Sequence, residues 1–389
     1  MNPLVELNLA LILFVPWFLI LGALFWIYPR QPRGTARRVY DIVSLVLAVV
    51  AFAYSQYWSL DVADPQYGPM WGQILATALA YVVYLAVMAI AFFLRPRFCA
   101  AYLVVERGRA AFIDTGTGQS VPRLLAALDA HGLRPADVDW VIATHVHLDH
   151  AGGAGPLMRE LPNATFAVHP DGARHMIDPS KLEASARAVY GEDYDRHHGP
   201  LVPIPEARLR SVADGEVLDL AGRALRCVHT PGHARHHLSV WDARSRSWFC
   251  GDTFGISYRE LDSARGAYIV PSTSPVQFDP DALRASLRRI LSEAPEAVHV
   301  THYGRVTGVQ QLGTSLIAQV DGMVDLARRC DGAPDRHERL VEGLARKYTA
   351  NAQRQGIVDT AQVTRLLEMD IELNAQGLGV WLDRSRRAA

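Results

Sequence analysis

THVHLDHAGG, residues 144–153, follows the apolar run Trp140–Ala143 and decides how the rest of the chain is read. His145 and His147 alternate, and Asp149 and His150 stand next to each other, so four potential metal ligands fall within six residues at what the pattern predicts to be a strand end. Neutral imidazoles and a carboxylate are the donors that zinc and similar divalent ions prefer, and a rigid turn can preorganise two neighbouring sites at once. Gly152 and Gly153 let the backbone pass tightly into the next element. A single histidine is more often a surface or hydrogen-bonded core residue, but four ionisable groups gathered in one turn point to a site.

Outward from this segment, short β-branched runs punctuated by glycine and proline predict strands: AAYLVVE at 100–106, AAFIDTG at 110–116, VDWVIATH at 138–145, ATFAVH at 164–169, ALRCVHT at 224–230, LSVWD at 238–242, SWFCGD at 247–252 and AVHVTH at 297–302. Helical patterns lie between several of them, as at Val121–His131 and Pro280–Ala294. Strands that end in polar residues and alternate with helices predict a layered α/β or α+β domain with its chemistry at the strand ends. Beyond Thr307 the strand patterns stop. Thr360 reads as an N-cap, and Val363, Leu366, Leu367 and Ile371 share one helical face before Gly377 and Gly379 are expected to interrupt it. This tail, to about Arg384, reads as a helical extension packed on the domain.

The segment resembles the HxHxDH signature of the metallo-β-lactamase superfamily through His145, His147, Asp149 and His150. Further matches follow in order: TPGH at Thr230–His233, GDT at Gly251–Thr253 and THYG at Thr301–Gly304, with an upstream DTG turn at Asp114–Gly116. Five ordered motifs over roughly residues 98–307 are far more specific than one alone. The resemblance implies an αββα sandwich with one metal on His145, His147 and His233, another on Asp149, His150 and His302, and Asp252 bridging. It implies two divalent ions, zinc first with iron or manganese as alternatives, Asp114 supporting the metal-binding loop, and Asp149 and Asp252 as the catalytic carboxylates. A metal-bridging hydroxide attacking an ester, thioester or lactone carbonyl is the expected chemistry. With no cysteine at the matched ligand positions, the pattern is closer to the glyoxalase II and lactonase branches. The alternatives are thiol or persulfide oxidation at a single iron, and a membrane-bound binding module without turnover. Members of the family usually open with an extra strand or hairpin, whereas here the motifs begin about twenty residues after the last apolar run.

That run is one of three. Residues 9–28, 42–60 and 74–94 form apolar, uncharged stretches, each long enough to cross a hydrocarbon core of roughly 30 Å as a helix. A cleaved signal peptide fits poorly, because the leading residues lack positive charge and no small-residue cleavage site precedes the second stretch. Arg30, Arg33, Arg37 and Arg38 crowd the first connection, Asp61 and Asp64 the second, and Arg95 and Arg97 follow the third. By the positive-inside rule the N-terminus lies outside and everything after residue 95 is cytoplasmic. The expected organisation is therefore a multi-pass membrane region at 1–95, a catalytic domain at 96–307 and a helical extension at 308–389. Membrane lipid and a small-molecule substrate are the expected partners.

The 39 basic and 40 acidic residues give a net charge of -1, with no basic stripe to suit nucleic acid. Cys99, Cys227, Cys250 and Cys330 form no CxxC pair, which fits a reducing compartment and makes thiol chemistry incidental. Among the other histidines, His236 and His237 are best placed to support the ligands, His236 foremost. His169, His175, His197, His198 and His229 each read as surface or core residues, and Tyr190, Tyr194, Tyr258, Arg259 and Tyr268 as packing or loop residues that could at most hold an anion.

Overall fold

The computed structural model describes residues 99–190, 194, 198–273 and 277–388. All belong to the second of two units, Arg97–Ala389. The three expected membrane spans lie outside the described residues, among which no helix is long and apolar enough to cross a membrane.

Two sheets face each other. The first runs β1(Tyr102–Glu106), β2(Arg109–Ile113), β3(Val138–Ile142), β4(Thr165–Val168) and β5(Leu209–Ser211), in that spatial order. Its β1–β2 pair is an antiparallel hairpin, and the remaining pairs are parallel. The second contains β6(Val217–Leu220), β7(Arg223–His229), β8(Leu238–Asp242), β9(Ser247–Gly251), β10(Ala297–Val300) and β11(Gly304–Val306), in reversed order across the sheet. Alternation along the strands sets the layers, because successive side chains point to opposite faces. On β2, Ala111 and Ile113 enter the space between the sheets, where Leu225, Cys227, Leu238, Val240 and Phe249 meet them from the second sheet. Ala110 and Phe112 point the other way.

Helices cover both outer faces. α1(Val121–Ala130), α3(Ala154–Glu160) and α4(Pro170–Ile177) cover the first sheet, with the single turn α2(Leu148–Ala151) just before α3 and α5(Ser180–Tyr190) after α4. Leu124 and Leu128 of α1 and Leu157 of α3 pack on Phe112, Val141 and Phe166. Burying such a side chain contributes about 1.5–3 kcal/mol. α6(Pro280–Ser292) covers the second sheet together with the extension, α7(Val309–Cys330), α8(Arg336–Arg354), α9(Thr360–Leu366) and α10(Glu368–Ala388). α6 starts where Asp279 accepts hydrogen bonds from the Asp281 and Ala282 amides at 3.0 Å, with Pro280 in its first turn.

Among the described residues the expected strands and helices form, while β5, β6 and β11, of three or four residues, carry too short a pattern to be read from sequence. Two expectations about the extension are corrected. Asp359, not Thr360, caps α9, accepting from the Gln362 amide at 2.9 Å. Gly377 and Gly379 do not interrupt the last helix; the break falls at Leu367, and α10 runs through both. Tertiary packing outweighs the roughly 1 kcal/mol that each helical glycine costs. The missing side chain of Gly379 faces Arg336, whose guanidinium pairs with Asp383 of the same helix at 2.7 Å. At the other end of the unit, β1 is the outer strand of its sheet among the described residues, with no preceding strand.

Candidate metal centre

The donors converge because each sits on a connection leaving the same end of a strand. His145 and His147 follow β3, Asp149 and His150 lie in α2, His233 follows β7, Asp252 follows β9 and His302 follows β10. The resulting geometry forms two cages sharing one carboxylate.

In the first, His145 Nε2 and His147 Nδ1 are 2.8 Å apart, His233 Nε2 is 3.2 Å from His147 Nδ1, and Asp252 Oδ2 is 3.5 Å from His233 Nε2. In the second, His150 Nε2 lies 3.6 Å from Asp149 Oδ2 and 3.3 Å from Asp252 Oδ1, and His302 Nε2 lies 3.2 Å and 3.6 Å from the same two oxygens. A tetrahedral ion with donors at about 2.0–2.1 Å needs donor–donor edges of about 3.3–3.4 Å. The residues present fit that requirement. Further, His150 Nε2 and Asp252 Oδ1 are buried without a hydrogen-bond partner, a costly state that a shared cation would relieve.

Around the cages, partners hold the remote nitrogens of the ring ligands. Asp114 Oδ2 accepts from His150 Nδ1 at 2.8 Å and from the Thr301 hydroxyl at 2.9 Å, while its Oδ1 accepts from the Thr144 amide at 2.8 Å. Asp114 holds φ +56, a left-handed conformation that aspartate tolerates better than most residues. Gly153 packs its backbone on the same turn, and a Cβ there would stand 2.8 Å from the Thr117 carbonyl oxygen. Ser272 faces His233 Nδ1 with both its carbonyl and its hydroxyl at 3.3 Å.

His236 stacks on His145 at 6.2 Å and makes no hydrogen bond through its buried Nδ1. Its neighbour His237 makes the direct link, accepting from the Asp252 amide at 3.2 Å, with its Nδ1 between the Thr230 and Thr253 hydroxyls at 3.0 Å each. His169 caps α4, accepting from the Asp171 amide at 3.1 Å, and His229 donates to the Val212 carbonyl at 3.0 Å. Tyr258 and Tyr268 are tied to the extension, through Asp370 and the Tyr348 carbonyl. These side chains serve packing and capping.

Cys99 corrects the reading of the thiols as incidental. Its Sγ lies 3.6 Å from His302 Nδ1 and 3.9 Å from Asp149 Oδ2, beside the second cage. With His302 Nε2 turned to the carboxylates, the ring proton belongs on Nδ1, and the sulfur accepts it. No spacing rule could have found this contact, since 203 positions separate the pair.

Burial pushes the pKa of His145 and His233 down and that of His147 down to about 3, so these rings are neutral and ready to bind a cation. His150 and His302 behave oppositely. Burial alone would lower both, but Asp149, Asp252 and Asp114 raise His150, and Cys99, Asp252 and Asp149 raise His302. Without metal these two rings therefore keep a proton at neutral pH, which a cation must displace. Metal binding is expected to release about two protons per filled chain, and affinity should fall as pH drops below the raised values. Calorimetry in buffers of different ionisation enthalpy reads the proton count; a count near zero at pH 7 would contradict the assignment of protons to His150 and His302.

The fold and its donor set define a metal-binding αββα sandwich with a C-terminal helical extension. The chain belongs to the metallo-beta-lactamase superfamily, whose family model matches residues 94–302, more than half of the 389. It is similar to a metallo-beta-lactamase fold-containing protein of Sulfurisphaera tokodaii, 27% identical over 215 residues, covering 54% of this chain and 75% of that one. It is also similar to a hydroxyacylglutathione hydrolase of a Synechococcus strain, 28% identical over 38% of this chain and 45% of the relative. An acyl-coenzyme A thioesterase of Gallus gallus is 32% identical over 39% of this chain and 56% of the relative. The chain thus spans about half the length of these last two relatives.

Proposed function

We propose that this chain is a membrane-anchored, dinuclear hydrolase that cleaves an acyl thioester, with esters and lactones as the neighbouring substrate classes. The observation that carries this reading is the sharing of Asp252, with one oxygen facing each cage, beside a partly exposed Asp149. His145, His147 and His233 on one side and Asp149, His150 and His302 on the other, with Asp252 between, would hold two divalent cations, zinc first with iron or manganese as alternatives, which would supply an activated water and a Lewis acid for the substrate carbonyl. The protein's own contribution is to place and charge the groups around them. His150 and His302 hold the Asp149 carboxylate below the usual range against the opposing effect of burial, so it stays ionised and able to orient water or accept its proton. Asp149 remains 35% exposed while Asp252 is 6% and His150 0%, which opens the site at the Asp149 side. Thioesters are favoured because the hydroxyacylglutathione hydrolase and the acyl-coenzyme A thioesterase among its relatives are named for acyl groups carried by a thiol.

The domain scheme fits the same proposal: a membrane region at 1–95 with spans at 9–28, 42–60 and 74–94, a catalytic domain at 96–307 on the cytoplasmic side, and a helical extension at 308–389. The membrane region keeps the enzyme near lipid, and no nucleic acid takes part. Detergent-solubilised full-length protein should hold about two zinc ions and hydrolyse acyl-coenzyme A or acyl-glutathione, losing activity to a chelator and regaining it with zinc. One iron per chain with oxygen consumption, or no turnover of any thioester, ester or lactone with both metals bound, would overturn the reading.

A further inference from the structure

Ser272 touches two ligands of the first cage at once. His233 Nδ1 faces its carbonyl and hydroxyl at 3.3 Å each, and the hydroxyl also donates to Asp252 Oδ2 at 3.4 Å. With His233 Nε2 directed at the cage, the ring proton sits on Nδ1 and is given to the Ser272 carbonyl, leaving the hydroxyl free for Asp252. Yet Pro271–Thr273 lies outside any strand, so its buried polar groups cannot find partners in a sheet ladder.

They find them in the helical extension. Asn374 of α10 is 1% exposed, and its amide grips the residue on each side of Ser272. Its Oδ1 accepts from the Thr273 amide at 2.7 Å, and its Nδ2 donates to the Pro271 carbonyl at 3.0 Å and to the Tyr348 hydroxyl at 2.8 Å. Tyr348 is fixed in turn, its carbonyl accepting from the Tyr268 hydroxyl at 2.7 Å. A carboxamide has one acceptor and two donors, and all three are used here on groups that cannot move independently. The orientation of the Ser272 carbonyl is therefore set by a side chain about a hundred positions away, on a helix outside the αββα sandwich.

We infer that Asn374 is a positioning residue for the His145, His147 and His233 metal position, which makes the C-terminal extension part of the metal centre rather than a packing appendage. The inference rests on reading those histidines as a metal site. It predicts that the metal affinity of one position depends on the extension through this amide, independently of how tightly α10 packs.

The test uses the full-length protein stripped of metal and titrated with Zn2+ against a chromophoric chelator, with thermal unfolding measured on the same samples. Asn374→Ala should weaken one of the two zinc sites about tenfold, the low end of the range for losing a partner of a ligand, and leave the other unchanged. Asn374→Ser removes the carboxamide while keeping a small polar group and no charge, so it should weaken the same site to a similar degree; it also decides the matter if the alanine variant does not fold. Leu378→Ala, at a fully buried position of the same helix, removes packing without touching Ser272 and should lower the unfolding temperature with both affinities intact. Unchanged affinities in both Asn374 variants, or an equal loss in Leu378→Ala, would overturn the inference. A wild-type protein that binds no zinc would instead overturn the metal site itself.

Discussion

Asp149→Ala is expected to reduce thioester turnover by about a thousandfold or more, the scale of losing both a ligand and a positioned proton acceptor. The carboxylate is a corner of the second cage and the member most open to substrate. The loss should appear in kcat rather than in folding. Its side chain is one-third exposed and carries none of the buried contacts that Asp114, Thr144 and Thr301 make beneath the site. Circular dichroism should therefore stay near the wild type while turnover of the acyl thioester panel collapses. Zinc content should fall toward one ion per chain, because three donors remain at the second position instead of four. Turnover within threefold of wild type would remove this carboxylate from the chemistry.

Gly232→Ala should act through the fold. Gly232 holds φ +136, which side-chain-bearing residues rarely adopt, and a Cβ there would stand 2.3 Å from Leu283 Cα, 2.4 Å from its amide nitrogen and 2.5 Å from its Cβ. Leu283 is 1% exposed at the start of α6, and the Gly232 carbonyl accepts from the Asp279 amide at 2.8 Å. Neither strand connection nor helix can retreat without breaking that junction. Overpacking and backbone strain together are expected to cost about 4 kcal/mol, or roughly a 10 °C lower unfolding temperature for a unit of this size. His233 is the next residue, so zinc affinity at the first position should drop alongside. An unfolding temperature within about 2 °C of wild type would show that the turn has room the structure does not provide.

Much of this site could be read along the chain because its ligands come in short clusters at the ends of strands. His145 to His150 advertise themselves by density, and TPGH, GDT and THYG follow them in order. Strand alternation and helix periodicity likewise carry their own signal, since they arise from local geometry that each segment must satisfy by itself. Cys99 beside His302 and Asn374 behind Ser272 have no such signal, and the adjacent pair His236 and His237 gives no sign of which ring reaches the Asp252 amide. Each is one ordinary residue whose role exists only once distant segments meet. The same holds for Gly377 and Gly379, which look like helix breakers until the packing of α10 outweighs their intrinsic cost.

By itself, then, the order of residues determined the alternating strands, the donor types and the sequence of the metal motifs, all of which depend on neighbours within a few positions. Tertiary structure alone decided which oxygen of Asp252 faces which cage, which groups hold the remote nitrogens of the histidines, and that the last helix reaches the residues flanking Ser272. Those outcomes depend on distances of 3–4 Å between side chains far apart in the chain, and a hydrogen bond at that range is set by the whole fold rather than by any local pattern.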